Sequence, residues 1–100
     1  MIRQLLIDIR WTLANGWCQN AHAIDNDSKE VHIDSPDAIG YDLITAIYKS
    51  VAEENLDEVY ATIGMTPIEA FEWNNDPNRT QKEVLQLLDK AIQRFDNDEV

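Results

Sequence analysis

Apolar residues recur at three- and four-residue steps from the second position onward. Ile2, Leu5, Leu6, Ile9 and Leu13 fall on one face at helical spacing and predict a first helix from Ile2 to Asn15. Gly16, just past the last periodic residue, reads as a left-handed helix stop, with Trp17 folding back on the last turn to meet Trp11. Ile7 and Trp11 form a second apolar stripe on nearly the opposite side of the same helix. Two outcomes are open for that stripe. In one, Trp11 closes on Trp17 and the segment after the helix covers Ile7. In the other, the pair stays exposed and makes an interface, to a second copy as a homodimer or to a partner, helped by Tyr41 and Tyr48 on one flank of the second helix.

Between Trp17 and Asp34 the helical period is absent. Two short, partly β-branched runs, Ala21 to Ile24 and Val31 to Ile33, flank the turn formers Asp25, Asn26, Asp27 and Ser28, which predicts a small hairpin or an ordered loop leaning on the helices. Ser35, Pro36 and Asp37 then read as an N-cap, a first-turn proline and an acid against the helix dipole. The face Ile39, Leu43, Ala46, Ile47, Ser50 and Val51 carries that second helix to about Glu53.

Asn55 restarts the chain, and Leu56, Val59, Tyr60 and Ile63 are periodic up to Gly64, a short third helix. Thr66, Pro67 and Glu69 form a capping box that opens a fourth helix to about Trp73, and Thr80 with Glu83 is a second box that opens the last. Val84, Leu88, Ala91, Ile92 and Phe95 make this final helix amphipathic. The pattern predicts a mostly α fold, a compact bundle of four to five short helices with one irregular or hairpin segment over residues 17–34. One acidic domain is expected over 1–100, with the tail 96–100 frayed.

Composition agrees with a packed core: 44% of the 100 residues are hydrophobic and 27% charged. Charge narrows the functional classes. Nineteen acids against eight bases set the net charge at −11, the wrong sign for neutralising phosphates, so direct nucleic-acid binding is not expected. Cys18 is the only cysteine, which excludes an internal disulfide and makes the cytoplasm the expected compartment. Arg3, Asp8 and Arg10 interrupt any signal-peptide core, and no apolar run is long enough to span a membrane.

The inventory for chemistry is thin. Cys18, His22 and His32 are the soft or borderline metal ligands, with Asp25 or Asp34 as oxygen donors, yet no paired CxxC or HxxxH unit is present. Asp25, Asp27 and Asp34 fail the calcium-loop template, since the sixth residue from Asp25 is Glu30 and the twelfth is Pro36. Cys18 and His22 as nucleophile and base lack a recognisable oxyanion hole, and nearby carboxylates raise a thiol's pKa. The densest special string runs from Trp73 to Thr80. It reads as an anchored turn, with Arg79 pairing Asp76 or the acidic surface, or as a binding loop.

Gly16 to Gln19, GWCQ, with Ala21, and Trp73 to Ile92, WNNDPNRTQKEVLQLLDKAI, resemble the two signature stretches of a family of small bacterial and phage proteins of unknown function. The resemblance covers Trp11 to Ala38 loosely and Glu72 to Ile92 more closely. It departs where family members carry a tryptophan-cysteine pair at the start of the second helix and this chain has Tyr41 and Asp42. It implies the fold boundaries and a bacterial or phage origin, and no activity.

Acidity concentrates between Asp25 and Glu58, where ten acids face two bases. Spread along a helix at a rise of about 1.5 Å per residue, this is far sparser than the charge on a duplex, so it does not copy DNA. The expectation is a non-enzymatic acidic protein-binding module, a bacterial or phage-borne inhibitor that docks on a basic, nucleic-acid-binding surface of a host protein complex. The expected docking residues are Asp37, Asp42, Glu53, Glu54, Asp57 and Glu58, with Ile7, Trp11, Tyr41 and Tyr48; no cofactor, metal or membrane is expected. The alternative is a small enzyme or metal-binding protein using Cys18, His22 and His32.

Overall fold

The computed structural model describes residues 1–98. Helix α1 (Ile2–Asn15) lies antiparallel to α5 (Gln81–Asp98). Arg3 pairs with Asp96 at 2.9 Å, Arg10 with Asp89 at 2.6 Å, and the Gln81 amide donates to the Leu13 carbonyl at 2.9 Å, so the two helices are tied at both ends and the middle. Between them and three further helices, α2 (Leu43–Ser50), α3 (Leu56–Ile63) and α4 (Pro67–Asn74), sits one apolar core. Ile2, Leu6, Ile9 and Leu13 enter it from α1, Leu43, Ala46 and Ile47 from α2, and Val84, Leu88 and Ala91 from α5. Burying each leucine, isoleucine or valine among them contributes about 1.5 to 3 kcal/mol, which is why the three- and four-residue spacing decides where the helices form.

The mostly α architecture is therefore as expected, with five α-helices and a small sheet among the described residues. Helix ends follow the local rules where only local groups are involved. Gly64 closes α3 in the left-handed region at φ 91°, and Arg94 of α5 reaches back to donate to the carbonyls of Thr62 and Ile63 at 2.9 Å. Thr66 and Glu69 satisfy each other's backbone amides at the start of α4. Thr80 and Glu83 do the same before α5. Thr80→Ala is expected to lower stability by about 1 kcal/mol in urea denaturation. A change indistinguishable from zero would mean that the cap contributes nothing.

Three expectations are corrected. Gly16 is not a left-handed stop: its φ is 173°, extended backbone. The last carbonyls of α1 are taken by side-chain amides, Asn15 donating to Trp11 and Gln81 to Leu13 and Ala14. Glycine is needed for another reason. A Cβ at position 16 would sit 2.0 Å from the Ile39 carbonyl oxygen, because the chain crosses itself there.

The second correction concerns the start of α2. Ser35, Pro36 and Asp37 form a single turn, with the Ser35 hydroxyl accepting from Asp37 N–H and the Ser35 carbonyl from Ala38 N–H, and no helix follows. Residues 39–41 run extended, since Ile39 N–H donates to the Ile24 carbonyl, Tyr41 N–H to that of Gly16, and Cys18 N–H to that of Tyr41. A helix would forfeit these long-range bonds, so Asp42 becomes the N-cap, its carboxylate accepting from Thr45 N–H at 3.0 Å. Ile39 is left exposed, and α2 ends at Ser50 before a short 3-10 helix over Glu53–Asn55.

Third, the sheet is not the sequence-local hairpin. Strand β1 (Ala23–Ile24) pairs antiparallel with β2 (Gly40–Tyr41), Ala23 opposite Tyr41 and Ile24 opposite Gly40. The hairpin survives as a single bridge between Ile24 and Glu30, with Val31 N–H donating to the Ala23 carbonyl. At the other end of the chain α5 is described through Asp98, with Asp96 paired to Arg3. The fraying expected at 99–100 lies outside the described residues.

Candidate functional site

The two stretches singled out in the sequence meet on one buried amide. Asn74, the last residue of α4, is 1% exposed and uses every hydrogen-bonding position of its side chain. Its Oδ1 accepts from Trp17 Nε1 at 2.7 Å and from the Leu43 backbone N–H at 3.0 Å. Its Nδ2 donates to the Cys18 carbonyl at 3.2 Å and to Asn75 Oδ1 at 3.1 Å. Around it, the Gln19 amide donates to the carbonyls of Asn74 and Asp76 at 2.9 and 2.6 Å, and Asn20 N–H to Asn75 Oδ1 at 2.9 Å.

The second stretch is braced by Arg79. Its guanidinium lies 4.0 Å from the Trp73 ring centroid, donates to the Trp73 carbonyl at 3.0 Å and pairs with Glu83 at 3.3 Å. The string from Trp73 to Thr80 is thus an anchored turn: its special residues bind the chain to itself, and Trp17 is spent on Asn74 rather than on Trp11.

Beside this clasp lies, among the described residues, the one histidine–carboxylate pair with a buried partner. His22 precedes β1 and Asp42 follows β2, so the sheet sets them side by side, with Asp42 N–H donating to the His22 carbonyl. His22 Nδ1 is 3.0 Å from Asp42 Oδ2, while Asp42 Oδ1 caps α2. Asp42 is 1% exposed, whereas half of the His22 side chain faces solvent, between two clefts. One, of about 680 Å³, is walled by Phe71 and Glu72 of α4 and by Glu30. The other, of about 410 Å³, is an apolar groove lined by Ile33, Ile44, Tyr48, Leu56, Tyr60 and Pro67. Burial, and then the charge of Asp42, push the Tyr60 phenol above its ordinary pKa, so this groove-lining hydroxyl stays protonated.

Cys18, His22 and His32 do not converge. Among the described residues no group of three or more His, Cys, Asp or Glu side chains is placed to hold a metal ion. Cys18 is buried and its Sγ donates to the Ala21 carbonyl at 3.3 Å. Burial first, then the charges of Asp42 and Glu30, push its pKa up to about 12. A thiol that holds its proton is a poor nucleophile. Alkylation of native Cys18 by iodoacetamide at pH 8 is expected to run at least about a hundredfold slower than in the urea-unfolded chain; comparable rates would contradict the burial. The sign for stability follows, because the folded pKa lies above the unfolded one. The contribution is complete below pH 9 and is lost as pH rises from 9 towards 12.

The residues expected to dock on a partner separate. Glu53, Glu54, Asp57 and Glu58 are exposed along the 3-10 helix and the first turn of α3, and Asp37 is exposed in its turn. Asp42 is not a surface residue: cap and imidazole partner, it is enclosed by the fold. Trp11 is 69% exposed and Ile7 half-buried, so Trp11 does not close on Trp17. Tyr48 is exposed on α2, but Tyr41 sits in β2 with Lys49 Nζ 5.5 Å from its ring centroid, so the two tyrosines do not share a helix flank.

Sequence reasoning named Asn74 as a turn residue and Asp42 as a docking acid and missed the role of each. Asp42 carried a readable signal, an Asp three residues before Thr45 at the edge of an apolar run, masked by the stronger Ser-Pro signal upstream. Asn74 carried none beyond its place in a turn cluster.

Fold and site together define a class: a small, mostly helical acidic protein in which a Trp-Cys-Gln loop is clasped by an asparagine at a helix end. Within that class the chain belongs to the family of unknown function DUF6197, whose model matches residues 2–94. No curated protein and no solved structure gives a significant match. No helix among the described residues is long and apolar enough to cross a membrane.

Proposed function

We propose that this chain is a non-enzymatic protein-binding module, acting in the cytoplasm of a bacterium or a phage-infected cell, that docks on a basic segment of a nucleic-acid-binding partner and inhibits it. One observation carries the reading. The apolar groove between α2, α3 and the start of α4 is lined by Leu56, which stands in the chain among Glu53, Glu54, Asp57 and Glu58, all exposed. An apolar trough beside a row of carboxylates complements an amphipathic helix with leucine-like anchors on one face and lysine or arginine beside them. The carboxylates steer the encounter and select the sign of the partner; the groove supplies the burial.

The test is a fluorescently labelled amphipathic peptide of leucine and lysine, with a leucine-glutamate peptide as control. Binding of the basic peptide alone is expected, weakening at least about tenfold between low and moderate salt. Glu54→Lys with Asp57→Lys is expected to weaken it at least about tenfold again while leaving the melting temperature within about 2 °C, since exposed charges contribute little to folding. Equal affinity for both peptides, or indifference to the double reversal, overturns the reading.

A further inference from the structure

The chain's two histidines are held by opposite kinds of partner. At His32 the Asp34 backbone N–H donates to Nδ1 at 3.1 Å, so in the neutral ring Nδ1 is the acceptor and the proton sits on Nε2. At His22 the group facing Nδ1 is the buried Asp42 carboxylate at 3.0 Å, which only accepts. The neutral ring therefore carries its proton on Nδ1, and Nε2 presents a lone pair. A buried carboxylate that already caps a helix cannot turn away, so this tautomer is built into the fold.

His22 lines the cleft of about 680 Å³ between the loop before β1 and α4. Phe71 forms an apolar wall there, its ring centroid 6.3 Å from that of His22. Every other titratable group lining the cleft, Glu30, Glu72 and Asp76, is a carboxylate. Anions are thus repelled. A ligand for this place needs N–H donors for the fixed lone pair, a positive charge and a short hydrocarbon stem for the aromatic face.

We propose that His22, oriented by Asp42, is the hydrogen-bond-accepting residue of a binding site for a primary alkylammonium group in the cleft between β1 and α4. The site shares the His22 ring with the edge of the groove proposed for the partner, but its other walls, Phe71, Glu72, Glu30 and Asp76, do not line that groove, and its test does not use that partner.

Long-range proton–nitrogen NMR of the ¹⁵N-labelled full chain at pH 8 is expected to show the Nδ1–H tautomer at His22 and the Nε2–H tautomer at His32. Titration with n-butylammonium chloride at fixed ionic strength is expected to shift His22 and Phe71 ring signals saturably, whereas n-butanol and sodium chloride leave them in place. Asp42→Asn keeps an N-cap oxygen for Thr45 and offers an amide N–H to His22 Nδ1, which moves the ring proton to Nε2. This variant is expected to bind n-butylammonium at least about tenfold more weakly. Should it not fold, His22→Phe keeps a ring in place and removes the lone pair, with the same expected loss.

The proposal is overturned by an Nε2–H tautomer at His22 in the native chain, by n-butanol shifting the same signals as strongly, or by unchanged n-butylammonium affinity in the folded variants. Zinc chloride shifting His22 while n-butylammonium does not also overturns it.

Discussion

Asn74→Leu is expected to cost about 4 kcal/mol of folding stability, a large part of the 5 to 15 kcal/mol that holds a domain of this size together. Leucine has the same branching and heavy-atom count and is the bulkier side chain, so cavity formation is not the cause. The substitution strands the Trp17 indole N–H, the first N–H of α2 at Leu43 and the Cys18 carbonyl, all groups that the amide alone now satisfies. Each buried orphan costs about 1 to 3 kcal/mol. Asn74→Asp is expected to be nearly as damaging, because a carboxylate keeps the two acceptor bonds and faces the Cys18 carbonyl with a second acceptor. Trp17→Phe, which breaks one of the four bonds, is expected to cost about 1 to 2 kcal/mol, and less in the Asn74→Leu background where its partner is already gone. Urea denaturation of the three single variants and the double variant checks this; additive losses would show that Trp17 and Asn74 act independently.

Gly16→Ala is expected to cost about 3 kcal/mol or more, against about 1 kcal/mol for Gly64→Ala. The order inverts what backbone torsion alone suggests, since Gly64 has the positive φ of 91° and Gly16 an extended φ of 173° that alanine adopts freely. At Gly64 the nearest atom to an added Cβ is the end of the Arg94 side chain at 4.0 Å, so the cost is torsional. At Gly16 the obstacles are the Ile39 carbonyl oxygen at 2.0 Å, the Ile39 carbonyl carbon at 2.9 Å and Gly40 Cα at 3.0 Å, all backbone. Relief requires β2 to move, which breaks the Tyr41 to Gly16 hydrogen bond and draws Asp42 away from His22. Chemical denaturation measures both costs, and loss of the His22 Nδ1–H signal in Gly16→Ala would show the disturbance reaching the pair. A Gly16→Ala loss no greater than that of Gly64→Ala would refute the crossing geometry.

These two positions separate the legible from the illegible. The spans of α1, α3 and α4, both capping boxes, the role of Gly64 and the core faces of α1 and α5 were readable because each depends on groups within about one helical turn of one another. Caps, dipoles and apolar period act at a range the linear order preserves, and one hundred residues with five such segments leave little choice of class. The acidic row of Glu53, Glu54, Asp57 and Glu58 was readable for the same reason, because nothing distant competes to bury it.

What lay beyond the linear order was every pairing between segments far apart in the chain. Ser35 and Pro36 signal a helix as strongly as Thr66 and Pro67 do, yet one opens a helix and the other a turn, because strand β2 is claimed by β1 and by the end of α1. Asp42 counted as one more surface acid until Thr45 and His22 took its two oxygens. Asn74 looked like a turn residue until Trp17, 57 positions earlier, was found on its oxygen. Buried polar groups must find partners wherever the fold supplies them, and a side chain's own sequence neighbours do not say which partner that is. Helix content and charge pattern thus belong to the chain's local chemistry, while the clasp, the fixed imidazole and the cleft beside it exist only once the segments have closed on one another.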